Sequence, residues 1–242
     1  MGPCRPSPAR SPAMATTEFL RPAASLAMAC VESQPFGQNT YVVWQEGAAE
    51  GIVVDPGFEP GAVIDCLENR GLSPAAILLT HGHSDHIAGN AALKARWPGV
   101  PILIGRGDAS KLTSPAGNLS AAFGLSLVSP EADRLLEDGE RFQAVGIDFE
   151  VREIPGHSSG HIVFIVDGID PPVVFGGDVL FREGIGRTDF PDGDFDRLAE
   201  GIRRHLYRLP DDTIVYPGHG GPTTVGHEKR HNPFVAAGLD GN

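Results

Sequence analysis

The 242-residue sequence is poor in cysteine. Cys4, Cys30 and Cys66 are three scattered thiols with no Cys-x-x-Cys spacing. That excludes a disulfide framework and a zinc ribbon, and it fits a reducing cytoplasm. Cys30 and Cys66 read as small buried hydrophobes. Long apolar runs are absent too: no stretch approaches the ~18 consecutive apolar residues of a membrane-spanning helix. Positive charge is scarce. Nineteen Lys and Arg stand against 31 Asp and Glu, a formal net charge of −12. A nucleic-acid backbone demands basic patches, and an anionic membrane surface also favours cations, so neither is expected as a partner.

What is present is ordinary globular material, 41 % hydrophobic and 21 % charged. A chain near this length buries about three quarters of its unfolded surface, so its core needs no covalent staples. Residues 1–24 stand apart. Pro3, Pro6, Pro8, Pro12 and Pro22 alternate with Arg5, Arg10, Arg21 and small residues. Proline at that density blocks helix and sheet, and little apolar surface is on offer, so a disordered extension is expected there. It lacks the apolar core of a secretory signal. Met14 and Met28 are alternative starts. Residues 25–242 are expected to form one domain.

Along that domain, strands are expected at Leu26–Val31, Thr40–Trp44 and Ile52–Val54, the last stopping at the turn signature Asp55-Pro56-Gly57. Val63, Ile64 and Leu67 recur at helical spacing before Gly71. The apolar run Ala75–Leu79 reads as a buried strand, Ile87–Arg96 as a helix, and Ile102–Ile104 as a further strand. Arg106–Leu112 reads as a short helix. Residues 113–130 form a polar loop holding Leu119, Phe123 and Leu125, long enough to suggest a function. Strands are expected within Phe142–Ile154, His161–Val166, Val173–Phe175 and Thr213–Tyr216. Between the last two, Phe195 to Leu209 reads as a four-turn helix capped by Asp194. Strands then a helix, twice over, suggest two sheets packed face to face with helices outside: an α/β protein, a four-layer αββα sandwich.

The chemistry concentrates in Thr80-His81-Gly82-His83-Ser84-Asp85-His86, directly after the strand at 75–79. Four candidate ligands lie within six residues, and a strand delivers them to its C-terminal end, where α/β folds open a cleft. Imidazole and carboxylate suit zinc, and imidazole also suits iron. Three later turns repeat the pattern beside apolar strands: Pro155-Gly156-His157, Gly176-Gly177-Asp178 and Tyr216-Pro217-Gly218-His219. Glycine or proline beside each ligand permits the tight turns that convergence requires. Five His and two Asp suffice for two metals, each held by about three side chains with a position left for water.

These motifs resemble the metallo-β-lactamase superfamily, and within it the glyoxalase II-like (hydroxyacylglutathione hydrolase type) enzymes. Gly177-Asp178-Val179-Leu180-Phe181 and Gly186-Arg187-Thr188-Asp189-Phe190 are similar to that branch. Tyr216-Pro217-Gly218-His219-Gly220, Thr223-Thr224, Glu228 and Asn232-Pro233-Phe234 are similar to its short members. The resemblance implies the αββα metallo-β-lactamase fold. It implies a first metal on His81, His83 and His157, a second on Asp85, His86 and His219, and Asp178 bridging both. Zinc is the expected metal, with iron or manganese as alternatives. Asp178 and Asp85 are the catalytic candidates.

The implied reaction is hydrolysis of a small-molecule thioester, glutathione-derived substrates among them. Zinc lowers the pKa of its water to about 7, and hydroxide then attacks the carbonyl. A thiol of pKa about 8.5 leaves without a strong acid, whereas an amide nitrogen needs a proton. Because the tail after His219 is short, the C-terminal helical domain with which glyoxalase II helps hold glutathione is not expected here. A rival is the related persulfide dioxygenase class, which uses one iron and shares the Gly-Arg-Thr-Asp-Phe run. The chain resembles it less at His161, Pro191 and Pro217-Gly218-His219. A non-catalytic metal-binding module is the second rival. His161, His205, His227 and His231 are expected to be structural or supporting rather than ligating. Arg187 and Asp189 are expected to serve the scaffold, with a substrate carboxylate as the alternative role for Arg187.

Overall fold

A computed structural model describes residues 16–18 and 26–236. The first sheet contains β1 (Thr16–Glu18), β2 (Leu26–Ser33), β3 (Gln38–Gln45), β4 (Glu50–Val54), β5 (Ser73–Leu79), β6 (Ile102–Gly105) and β7 (Arg134–Leu136), in that order across the sheet. β1 to β4 pair antiparallel, and β4 to β7 pair parallel. The second sheet contains β8 (Arg141–Ala144), β9 (Ile147–Glu153), β10 (Ile162–Val166), β11 (Val173–Gly177), β14 (Ile214–Pro217) and β15 (Thr223–Thr224). A small separate ribbon, β12 (Leu180–Phe181) with β13 (Gly184–Ile185), follows β11.

Alternation along the strands builds the layers, because successive side chains point to opposite faces. Tyr41, Val43, Ile52, Val54 and Leu78 face inward and meet Phe149, Ile162, Phe164, Val166 and Phe175 of the other sheet. Val42, Val53, Ile77 and Leu79 face outward and pack on Val63, Cys66 and Leu67 of α1 (Pro60–Glu68) and Leu93 of α3 (Asn90–Arg96), while α2 (Ser84–Ile87) lies between those helices in the chain. Val163, Ile165, Val174 and Val215 face out of the second sheet onto Leu198, Ala199, Ile202 and Leu206 from α4 (Phe195–Gly201) and the turn that follows it. The four-layer αββα order is thus the consequence of a two-residue period in both sheets. Cys30 and Cys66 are buried, and burial pushes the Cys30 thiol up to about 12. Among the described residues no helix is long and apolar enough to cross a membrane.

Several expectations change in detail. Proline-free Thr16–Glu18 pairs with β2, so the extension over 1–24 has structure at those residues. The remainder of that extension lies outside the described residues. The helix expected at 87–96 is broken between α2 and α3. Gly89 N–H donates to Pro56 O at 2.8 Å, and a β-carbon there would lie 2.9 Å from Gly57 O. The short helix expected over 106–112 is present as a 3₁₀ helix, Arg106–Thr113. The long helix after Asp194 has a π-helical turn at Ile202–Leu206, with Asp194 capping Arg197 N–H at 3.0 Å as expected. The final α5 (Val225–His231) was not expected, because its segment carries a single large apolar residue, Val225.

Candidate metal centre

The four motifs arrive at one end of the sandwich, each from the C-terminal end of a strand. β5 delivers His81 and His83, and α2 turns Asp85 and His86 back toward them. β9, β11 and β14 are followed by His157, Asp178 and His219. The structure brings all seven residues together. Ligand atoms of His81, His83 and His157 lie within 4.8 Å of one another, as do those of Asp85, His86 and His219. Asp178 stands between the two groups. Its Oδ2 is 3.5 Å from His157 Nε2 on one side and 3.5 Å from His219 Nε2 on the other, and its Oδ1 is 3.4 Å from His86 Nε2.

The imidazoles are oriented from behind. His86 Nδ1–H donates to Asp55 Oδ2 at 3.0 Å. The other oxygen of Asp55 accepts Thr80 N–H at 2.7 Å. The Thr80 hydroxyl donates to Asp55 Oδ2 at 2.6 Å and accepts from His81 Nδ1–H at 3.1 Å. His157 Nδ1–H donates to Arg187 O at 2.9 Å, and His219 Nδ1–H to Phe36 O at 3.1 Å. Each bond leaves Nε2 as the bare nitrogen facing the cluster, the arrangement by which outer groups set a metal-binding tautomer. His83 presents Nδ1 instead, 2.9 Å from His157 Nε2.

A metal fits this donor set. His81 Nε2, His86 Nε2 and Asp178 Oδ1 are buried and have no hydrogen-bond partner among the described residues, an arrangement that normally costs free energy unless something ligates them. Burial holds His81 well below its ordinary range, and burial with His157 brings His83 down to about 3, so both present neutral rings. Burial opposes charge on Asp178, yet His86, His219 and His157 around it hold the carboxyl far below the carboxylate range. Burial likewise opposes charge on His86, and Asp178 and Asp85 outweigh it, raising that imidazole.

A second support crosses the cluster. Asp108, fully buried, accepts Gly82 N–H at 2.9 Å and Gly160 N–H at 2.8 Å. It thereby ties the turn carrying His81 and His83 to the turn carrying His157. Side chains three apart eclipse in a 3₁₀ helix, which sets Lys111 Nζ 3.1 Å from Asp108 Oδ1. Lys111 also meets Ser158 and, at 2.6 Å, Asp192. His161, expected as a supporting group, stacks on His81 at 4.7 Å and accepts Asp178 N–H at 3.0 Å. Arg187 and Asp189 are paired through two 2.9 Å bonds at the surface. His227 pairs with Glu183 away from the cluster, and the His205 ring is lowered by burial on its helix.

Sequence reading missed Asp55, Thr80, Asp108 and Lys111 as functional groups. Asp55 carried one signal, an aspartate closing a buried strand at a turn, where its left-handed φ of 50° is tolerable for this residue type. Above the cluster lies a cavity of about 240 Å³. Phe36, Leu119, Phe123, Phe181 and Phe190 wall it. Phe123, expected to flank the site, meets Phe36 edge-on at 5.3 Å.

The sequence matches the description "Metallo-beta-lactamase superfamily" over residues 33–219, which include every residue of the cluster. The chain belongs to the metallo-beta-lactamase superfamily. One superfamily relative, hydroxyacylglutathione hydrolase GloC from Haemophilus influenzae, is 40 % identical over 206 residues, covering 83 % of this chain and 93 % of its own length. The solved BLEG-1 B3 metallo-beta-lactamase superposes with a TM-score of 0.81 at 35 % identity, covering 86 % of this chain and 99 % of that one. TTHA1623, solved in a di-iron-bound form, gives 0.75 at 37 % identity over 85 % and 99 %. The chain therefore has a superfamily fold whose His/Asp cluster is able to bind metal.

Proposed function

We propose that this protein is a binuclear metal-dependent hydrolase of thioesters. The observation that carries this reading is Asp178, placed 3.4–3.5 Å from ligand nitrogens of both groups. His81, His83 and His157 would hold one metal, and Asp85, His86 and His219 the other, with Asp178 bridging. Zinc or another divalent ion bound there supplies a Lewis acid and ionised water near neutral pH. Asp178 and Asp85 would orient the attacking oxygen, as the acceptors of the set.

The leaving group decides between thioester and amide. Beyond the cluster residues, the cavity is lined by Ser84, Arg187 and apolar side chains. None of these is suited to protonate a departing amine near pH 7, whereas a thiolate needs no such help. The name of the Haemophilus influenzae relative supports glutathione thioesters as one substrate class. The di-iron form of TTHA1623 supports iron as an alternative to zinc. Buried thiols at Cys30 and Cys66 fit the cytoplasm as its location.

The test compares thioesters, matching amides and β-lactams on one metal-loaded preparation, with oxygen uptake on glutathione persulfide alongside. Thioester cleavage far faster than amide cleavage is expected. Oxygen uptake by iron-loaded protein, with no thioester cleavage in any metal form, would replace the hydrolase reading with the dioxygenase.

A further inference from the structure

The cavity is built for apolar contact. Of its walls, Phe36, Leu119, Phe123, Phe181 and Phe190 are apolar, and Arg187 is the lone Lys or Arg among the described residues that line it. That guanidinium is already engaged twice, in the bidentate pair with Asp189 and over the Phe190 ring at 4.7 Å from its centroid. Lys111, also close to the cluster, is buried against Asp108 and Asp192.

The apolar wall is also held in place. Buried Asn118 donates to Lys111 O at 3.2 Å and Leu127 O at 3.0 Å, closing the base of the loop. Its own carbonyl accepts Ser84 N–H at 2.9 Å, which couples the loop directly to the ligand motif. Leu119 follows with a φ of 65°, a conformation costly for a leucine and common where a site dictates the backbone. The 3₁₀ turn Ser120–Phe123 then puts Phe123 over the cluster, 59 % exposed. Leu125 and Val128 on the same loop are exposed as well.

Size decides which part of a thioester lies there. About 240 Å³ is below the roughly 300–1,000 Å³ of pockets that enclose whole drug-sized ligands. The acyl group is bonded to the reacting carbon and must enter. A carrier such as glutathione is bulkier, and its two carboxylates lie at its far ends, where recognition needs cations; Arg187, the lone Lys or Arg among the described wall residues, is already paired with Asp189.

Resting on the thioesterase reading, we infer that the preferred substrates are thioesters of apolar acyl groups, seated against Phe36, Leu119 and Phe123, with the charge of the thiol carrier largely unread. The reaction is balanced by water alone: the C–S bond breaks, a C–O bond forms, and a proton of the water ends on the released thiol.

The experiment measures kcat/KM of zinc-reconstituted full chain on acetyl, butanoyl and hexanoyl thioesters. Each acyl group is carried on glutathione and on neutral N-acetylcysteamine, with lactoylglutathione beside them. Burial of a methylene changes binding by roughly 3- to 4-fold, so butanoyl should exceed acetyl by about 10-fold. The two carriers should differ by a few-fold at most. Phe123→Ala should flatten the acyl series with metal content unchanged, and Phe123→Leu should restore much of its slope. A flat series, or lactoylglutathione outpacing every apolar acyl thioester, would overturn this inference alone. Loss of activity on the neutral carrier would do the same. Failure to cleave any thioester would overturn the thioesterase reading and this inference with it.

Discussion

Asp55 and His86 are 31 residues apart in sequence and 3.0 Å apart in space, with the Asp55 carboxylate fixing the imidazole from behind. The same carboxylate reaches His81 through the Thr80 hydroxyl. One buried aspartate therefore orients an imidazole of each proposed metal group. Such outer partners typically change metal affinity by about 10- to 100-fold. Asp55→Ala should weaken metal binding by that order in a chelator competition, with activity recovering at high metal concentration. An unchanged affinity would reduce Asp55 to a turn residue.

Asp108 and Lys111 form a buried pair across the two ligand turns. Removing one member of such a pair costs about 3–5 kcal/mol, because the other charge is left buried. Asp108→Ala should lower unfolding free energy by that amount in urea titrations. Lys111 keeps its 2.6 Å pair with Asp192, so Lys111→Met should cost less in the Asp108→Ala background than in the unaltered chain, where the bond to Asp108 is lost as well. Equal costs in the two backgrounds would contradict the pairing.

Gly218 leaves no room for a side chain. A β-carbon there would overlap Asp178 Oδ1 and lie 2.6 Å from His86 Cε1. Gly218→Ala should displace the central carboxylate and remove most activity and part of the metal, with little change in far-UV circular dichroism. Gly221→Ala, whose β-carbon meets nothing within 4 Å, is the matched control.

Metal-free protein should be most stable near pH 6.5, and the sign follows from the imidazoles. Burial lowers His81, His83, His157 and His161, His83 to about 3. Unfolded, these rings take protons near about 6.5, so below that pH the unfolded state binds more protons and stability falls with pH. Burial also opposes charge on His86 and His219, but the neighbouring carboxylates outweigh it and raise both. Their contribution is complete below the unfolded value and is lost as pH rises through the raised folded values. A melting temperature that climbs on acidification from pH 6.5 to 4.5 would contradict this assignment.

The seven clustered residues were legible because ligation demands particular side chains, here His and Asp, beside the glycine and proline turns that let distant strands converge. Asp55 and Asp108 were not. A carboxylate that accepts backbone N–H groups carries no distinctive spacing, and Asp55-Pro56-Gly57 has the composition of an ordinary turn. The sandwich was legible from the order of elements, strands then a helix twice over, and from apolar strands such as β5 and β10 that are largely buried along their length. The break at Gly89 was not, because it answers a contact with Pro56 that no local pattern records. Likewise α5 is held by polar bonds, Thr224 capping His227 N–H at 3.2 Å and Glu228 accepting Glu183 N–H at 2.9 Å, rather than by an apolar stripe.

The binuclear proposal turns on Asp178 joining two metal groups, and metal stoichiometry tests it most directly. Protein stripped of metal and titrated with zinc should bind two equivalents, with thioester turnover rising across the second. Asp178→Ala should bind one or none. Saturation of the unaltered chain at a single equivalent, with full turnover reached there, would contradict the two-metal centre.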